Sequence, residues 1–474
     1  MKNNNISLLI FLMIALSSGA CKKQLNVYPT TSEVDGNLIT DQASAKSVLN
    51  GVYFEFANGS TFNNSPVTNW CLVNETTPSD LAGSLINNYY VDYFYTHTFT
   101  PTTTTLDYLW VYGYTLVNAA NGFIKNAAPV TAIPAAAKQQ MMAEAAFLRA
   151  FGNSELLLYY GQYNDPSSPY GIILRDTFVT PTTINLPRSG VAAAYTSILA
   201  DLNTAIDGLP VLNSAIYYAN AWDAKLLEAR VLMNRAAPGD YAQVITLTND
   251  IITNGPFVLE DSLKDIFLTK GFSSQEVMLG IQPFPNEITK FNEYQFAAYY
   301  SVTDSLISLL ANDARNQWVY KTVNLPYAGP VNEVTKYYSG DPVNVVQTPL
   351  SSYCYAFRLS EAYLLEAEAI TLSSGSLTTA KTLLTTVMSH AGAGAQEMAA
   401  VANAITPAAL QLEIVKEDLR NFACENGVDW FALRRLPFPT IQSIDPNITD
   451  PTTLILPIPS SELDQNNVIQ NPGY

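Results

Sequence analysis

Paired helical periodicities joined by short turns constrain this chain more than anything else in its sequence. In LDYLWVYGYTLVNAANGFIKN, Trp110, Tyr114, Val117 and Asn121 recur at three- and four-residue spacing and give one packed face. Pro134 opens the next helix. There MMAEAAFLRAFGNSELLLYYG places Phe147, Ala150, Phe151, Ser154, Leu157 and Leu158 on one stripe and ends at Gly161. A hairpin of this kind cannot bury its apolar faces alone, so it demands further helices beside it. The sequence supplies them. After the loop VTPTTINLPRSG come VAAAYTSILADLNTAIDGLP and NAWDAKLLEARVLMNRAA, a second pair. PGDYAQVITLTNDIITNG reads as a further helix with Asp240 as N-cap and Gly255 as its stop, and FRLSEAYLLEAEAITLSSGSLTTAKTLLTTVMSHAG reads as a third pair.

Helix pairs of about 34 residues resemble tetratricopeptide repeats, with a degenerate signature here. The expected fold class is therefore mainly α, a tetratricopeptide-like hairpin scaffold with long irregular insertions. Residues 52–104 and 256–350 are those insertions, rich in Gly, Pro, Asn, Thr and aromatics. Long ordered loops on a rigid scaffold are where binding groups tend to sit.

The N-terminus reads MKNNNISLLIFLMIALSSGAC. Ile6 to Leu16 is an apolar run too short to span a bilayer, and small residues Ser17 to Ala20 precede Cys21. Residues 1–20 are thus expected to be a signal peptide, and the junction resembles a bacterial lipobox, which implies that Cys21 carries a lipid anchor; a plain secreted protein with an incidental cysteine is the alternative. Once they are removed, 454 residues remain with 23 basic and 41 acidic side chains. A net charge of −18 repels phosphate backbones and argues against nucleic acid as a main partner.

Charged residues make up only 14% of the chain, while Asn, Thr, Ser and Tyr abound, a surface suited to uncharged ligands. Tyrosines occur as adjacent pairs at 89–90, 159–160, 217–218, 299–300 and 337–338. Their rings pack on apolar faces and their hydroxyls hydrogen-bond at the edge. His97 and His390 are the only histidines, so a His-rich metal site is ruled out and His-dependent catalysis has little to rest on. No metal or other cofactor is expected, and no catalytic residue is assigned. Cys71, Cys354 and Cys424 leave one disulfide open, without fixing which.

Several motifs in order along the chain carry a resemblance. LNVYPTTSEVDGNLITDQASAKSVLNGVYFEF, ETTPSDLAG, WVYGYTLVNAAN and AEAAFLRAFGNSELLLYYG lie in the first half. SVTDSLISLLANDARNQWVY, with Asp313 and Arg315, then KYYSG, FRLSEAYLLEAEA and the tail ILPIPSSELDQNNVIQNPGY lie in the second. Together they resemble the SusD/RagB family of nutrient-binding outer-membrane lipoproteins of Bacteroidota. The resemblance implies a SusD-like region over 21–255 and a SusD/RagB region over 256–474, packed as one unit. It also implies a non-enzymatic role: capture of oligosaccharides, or of peptides in some members, for a SusC-type TonB-dependent transporter. The expected location is the outer membrane, lipid-anchored and facing the exterior. Two departures stand out: Asp418 and Asn421 in VKEDLRNFACENGVDWFALRRLP, and Lys22–Lys23 after the lipid cysteine where acidic residues are more usual.

Binding a sugar requires an aromatic platform and fixed polar groups in a pre-formed site. The loop zones offer Trp70, Asp80, Tyr89, Tyr90 and Tyr93, then Tyr299, Tyr300, Trp318 and Tyr320, with Asn69, Asn74 and Asn88 beside them. An extended LINNYYVDYFYTH would put Tyr89, Tyr93 and Tyr95 on one face. For any one of these rings, packing in the core is the commoner fate. Glu366, Glu368, Glu413 and Glu417 read as helix-surface ion-pair residues rather than a glycosidase pair. An anchored glycoside hydrolase with carboxylates hidden in the loops, and a helical-repeat scaffold for protein segments, are the alternatives.

Overall fold

The computed structural model describes residues 38–62, 65–285, 287–325, 329–341 and 344–474. The signal segment 1–20 and Cys21 lie outside the described residues. Helices of nine residues or more are α1 (Gln42–Phe56), α2 (Leu106–Ala127), α3 (Ala135–Tyr160), α4 (Val191–Gly208) and α5 (Ala221–Arg235) in the first half. They continue as α6 (Asp240–Asn254), α7 (Leu359–Leu372), α8 (Leu377–Ala391), α9 (Ala395–Asn403) and α10 (Pro407–Phe422). Their starts follow local chemistry. Asp41 and Ser44 form a reciprocal cap on α1, Asn220 and Asp223 do the same on α5, and Thr406 caps α10 with Pro407 in its first turn. At α6 the cap is Gly239, and Asp240 is the first helical residue; its carboxylate accepts from the Ala237 amide and the Arg235 guanidinium instead.

From α1 to α8 each helix packs against the next in sequence, as a tetratricopeptide-like array requires. The α2 and α3 backbones approach closely through Gly113 and Gly152. A Cβ at Gly113 would meet Leu156 Cγ at 2.6 Å, and one at Gly152 would meet the Gly113 carbonyl at 3.1 Å. The sequence pairs α7 with α8, but α7 also packs extensively on α6. Thus α6 and α7 close a hairpin whose connection is the whole stretch 255–358; the irregular insertion is legible in the sequence, but the pairing of the helices across it is not.

Beyond the helices, the described residues form ten short strands, and every pairing among them is antiparallel. β1 (Gly59–Phe62) pairs with β2 (Ser65–Thr68), and β3 is Leu85–Asn87. β4 (Val277–Ile281), β5 (Tyr300–Val302), β6 (Tyr320–Leu325), β7 (Gly329–Val334), β8 (Ser339–Asp341), β9 (Asn344–Val346) and β10 (Cys354–Arg358) follow. β10 pairs with β4, and β8 with β9. The principal sheet has the order β3-β5-β7-β6 and joins the two loop zones, which are far apart in sequence. It covers a second core of Leu85, Val302, Val334, Tyr294, Tyr337 and their neighbours, beside the larger core of the helices.

Many charged side chains inside the fold are paired. Arg230 on α5 clamps Glu361 on α7 at 2.7 and 2.8 Å, and Arg435 binds Glu368. Arg315 is fully buried between Asp313 and Glu417, at 2.6 and 2.7 Å. Glu366, Glu368, Glu413 and Glu417 are therefore not helix-surface acids: all four are buried, and the latter three pair with Arg435, Lys416 and Arg315. Cys71, Cys354 and Cys424 are buried free thiols, so the disulfide left open by the sequence does not form. No helix among the described residues is long and apolar enough to cross a membrane.

Candidate functional site

The sheet edge β3–β5 assembles the site. Asn87 faces Tyr300 in the register of the two strands, and the Asn88 amide N–H donates to the Tyr299 carbonyl just beyond them. The Asn88 side chain then ties both loops: Nδ2 donates to the Ala298 carbonyl at 2.7 Å and Oδ1 accepts from Ser301 Oγ at 2.8 Å. Ala298 is buried and left-handed, with φ of 47°, a conformation that a non-glycine residue holds only when its surroundings enforce it. Preceding it is a π-helical turn, Asn292–Phe296, a form frequent at functional sites.

Aromatic rings crown this frame. Tyr89 meets Tyr299 edge-on at 5.4 Å, and its hydroxyl donates to the Ala297 carbonyl at 2.7 Å. Tyr90 is 73% exposed and Phe296 80%, with Tyr93 also open to solvent. Tyr300 lies half-buried beneath them. Asn87 Oδ1 accepts from the Tyr89 and Tyr90 amides at 2.9 and 3.1 Å, which turns the chain sharply after β3. Asp92 holds the next turn through the Asn87, Phe94 and Tyr95 amides. The segment 88–97 is consequently a pair of turns and not the extended strand expected, so Tyr89, Tyr93 and Tyr95 do not alternate along one face.

Carboxyl groups near Tyr300 complete the site. Burial, then the neighbouring Asp92, Asp429 and Glu293, pushes the Asp80 carboxyl well above the usual range. Burial raises Asp92 as well, and takes Glu293 up to about 7. An acid whose folded value lies above its unfolded one favours the folded state when protonated. Its contribution is present below pH 4.5 and is lost as pH rises through 7. Glu293→Gln should therefore match the wild type at pH 4 and gain on it by at most about 1.4 kcal/mol per pH unit up to pH 7, read by urea unfolding. Parallel curves at both pH values would contradict this.

Other sequence candidates fall elsewhere. Trp70 is 0% exposed, packed on Phe56 at 5.1 Å and Phe151 at 5.9 Å, so its faces are closed to any ligand. Asn74 is likewise buried, whereas Asp80, though buried too, lies near Tyr300 and Asp92 under the site. Trp318 leans on Phe267, and Tyr320 stands on β6, across β7 from Tyr300 and about 9.5 Å away by strand spacing; both rings pack toward the second core. His97 is a buried packing residue whose Nε2 meets the Leu81 carbonyl at 3.1 Å, and desolvation takes its pKa down to about 4. Phe296, Asn87 and Glu293 are the residues that sequence reasoning missed. EYQFAAYYS contains Phe296, but nothing in its spacing distinguishes an exposed ring from a packed one. Among the described residues no group of three or more His, Cys, Asp or Glu is placed to hold a metal ion.

Comparison with known proteins gives a consistent result. Residues 33–231 match a SusD-like family described as "Starch-binding associating with outer membrane", and residues 333–474 match the SusD family. Among solved structures, a SusD superfamily protein from Bacteroides thetaiotaomicron is 19% identical, with a TM-score of 0.72 over 91% of this chain and 100% of that one. A laminarin binding SusD-like protein is 19% identical, with a TM-score of 0.69 over 92% and 100%. A SusD-like carbohydrate binding protein from Bacteroides vulgatus is 16% identical, with a TM-score of 0.67 over 83% of each chain. At such identities the likeness to these structures is one of fold. No curated protein matches the sequence significantly.

Proposed function

Because this chain belongs to the SusD family, we propose that it captures a neutral oligosaccharide on the patch of Tyr89, Tyr90, Phe296 and Tyr299 and passes it to a SusC-type TonB-dependent transporter. The observation that carries this reading is a set of exposed rings on a backbone pinned by Asn87, Asn88 and Asp92. A sugar lays its C–H face on such rings, and Glu293 in the same turn as Phe296, its carboxyl taken by burial up to about 7, accepts from hydroxyls and, when protonated, donates to them as well. The family's association with the outer membrane supports a lipid anchor at Cys21 that holds the protein there, facing outward. Regions 21–255 and 256–474 would then act as one unit, since the patch draws on both.

Capture requires no chemistry. Glu368, Glu413 and Glu417 are taken up by Arg435, Lys416 and Arg315, so these helix acids are not free to serve as a glycosidase pair. Calorimetric titration of the mature chain with neutral oligosaccharides tests the reading. Tyr90→Ala and Phe296→Ala should each weaken binding by about tenfold, with the sugar recovered uncut. Unchanged affinity in both variants would remove the patch from the mechanism. Release of reducing ends would favour the hydrolase, and failure to bind any glycan with tight co-purification of a barrel protein would favour the scaffold.

A further inference from the structure

A second aromatic cleft lies away from the patch and shares no residue with it. One part, of about 290 Å³, is lined by Asn50, Phe54, Tyr217, Tyr218, Gln282 and Phe284 among others, between α1, the loop before α5 and the loop after β4. A neighbouring part, of about 300 Å³, shares Asn50 and Tyr218, so the two run together along α1. Spaces of this size hold small ligands.

Opposing rings line this cleft. Tyr217 and Tyr218 tilt together at 4.9 Å, Tyr218 meets Tyr53 edge-on at 4.9 Å, and Phe54 meets Phe284 at 5.6 Å. The first part has no charged side chain in its lining. Its polar groups are two amides and the tyrosine hydroxyls. The Asn50 carbonyl oxygen accepts from the Tyr218 hydroxyl at 2.9 Å, which leaves the Asn50 amide N–H groups open.

The loop bearing the tyrosine pair is braced from both sides. The Asn213 side chain donates to the Ala219 carbonyl at 2.9 Å, and the Ala219 amide donates to the Tyr53 hydroxyl at 3.0 Å. That hydroxyl in turn donates to the buried Glu144 at 2.8 Å, and the Gly280 amide donates to the Ile216 carbonyl at 3.0 Å. Rings fixed in this way lose little freedom when a ligand arrives.

We propose that this cleft is a second carbohydrate site, taking sugar units of a neutral oligosaccharide between Tyr217 and Phe284, with Asn50 and Gln282 on the hydroxyls. The inference rests on the glycan-binding reading but on different residues. The full mature chain is titrated with laminaripentaose, maltopentaose, cellopentaose and xylopentaose by calorimetry. Wild type is compared with Tyr217→Ala, Tyr217→Phe and Asn50→Ala in the cleft, and with Tyr90→Ala in the patch.

About tenfold weaker binding in Tyr217→Ala, largely restored in Tyr217→Phe because the ring returns, is the expected result. Asn50→Ala should weaken binding too, with an unchanged circular dichroism spectrum. Binding that Tyr90→Ala weakens while all three cleft variants match wild type would overturn the second site and leave the proposed function standing. The reverse pattern would uphold the cleft and displace the patch. Absence of binding by all four pentaoses would overturn both.

Discussion

Glu425→Ala is expected to destabilise the protein by about 3–5 kcal/mol, the typical cost of stranding a buried charge. Glu425 is 2% exposed and holds two cations, Lys336 and Arg358, each equally buried. Arg358 Nε donates to it at 2.7 Å, and a second bond of 3.0 Å comes from the same guanidinium. Around them Glu276 accepts from Arg358 and Ser360, and Asn421 accepts from Arg358 at 2.8 Å. Without Glu425, Lys336 loses its ion-pair partner and Arg358 keeps Glu276. Burial alone would raise the Glu425 carboxyl, but Arg358 and then Lys336 hold it below the usual range. A folded value below the unfolded one means that the stabilisation is present above pH 4.5 and is lost as pH falls through the folded value. Urea unfolding at pH 7 should show the full gap between wild type and variant, and the gap should shrink in acid. A variant within about 1 kcal/mol of wild type at neutral pH would mean that the network does not hold the fold.

Trp70→Ala is expected to cost about 3–5 kcal/mol as well, for an unrelated reason. Removing this fully enclosed indole opens a cavity among Phe56, Phe151 and the π-helical segment after Cys71. Tyr90→Ala, at an exposed ring, should stay within about 0.5 kcal/mol of wild type. The contrast matters for function. Lost glycan binding in Trp70→Ala would report a damaged core, whereas lost binding in Tyr90→Ala would report a lost platform. Unfolding curves for the two variants separate these meanings, and a Trp70→Ala protein of normal stability would refute the packing described for it.

Tyr89 and Trp70 show how far the sequence could be read. Both are aromatics in a loop rich in Asn and Tyr, and one-dimensional spacing treats them alike. The sheet order β3-β5-β7-β6 decides between them: it carries Tyr89 onto Tyr299 at the rim, whereas Trp70 falls against Phe151 of α3. The same holds for Glu417. Its three-residue spacing from Arg420 gives the ion pair, at 3.0 Å, but not its burial: Arg315 pairs with the same carboxylate, and all of these groups lie inside the fold. The exposure of Phe296 left no local trace, and the pair Tyr217–Tyr218, visible in the sequence, gave no sign of the cleft it lines.

By itself, the sequence determined the helices, their apolar faces, several of their caps and the order of the family's motifs, because each depends on residues within a turn or two of one another. Only the tertiary structure decided that α6 packs on α7 across the stretch 255–358, which acids are buried with partners, and which rings meet solvent. Burial of a side chain is a property of what the rest of the chain brings to it, and for Trp70, Glu425 and Tyr90 alike that is set by segments remote in sequence.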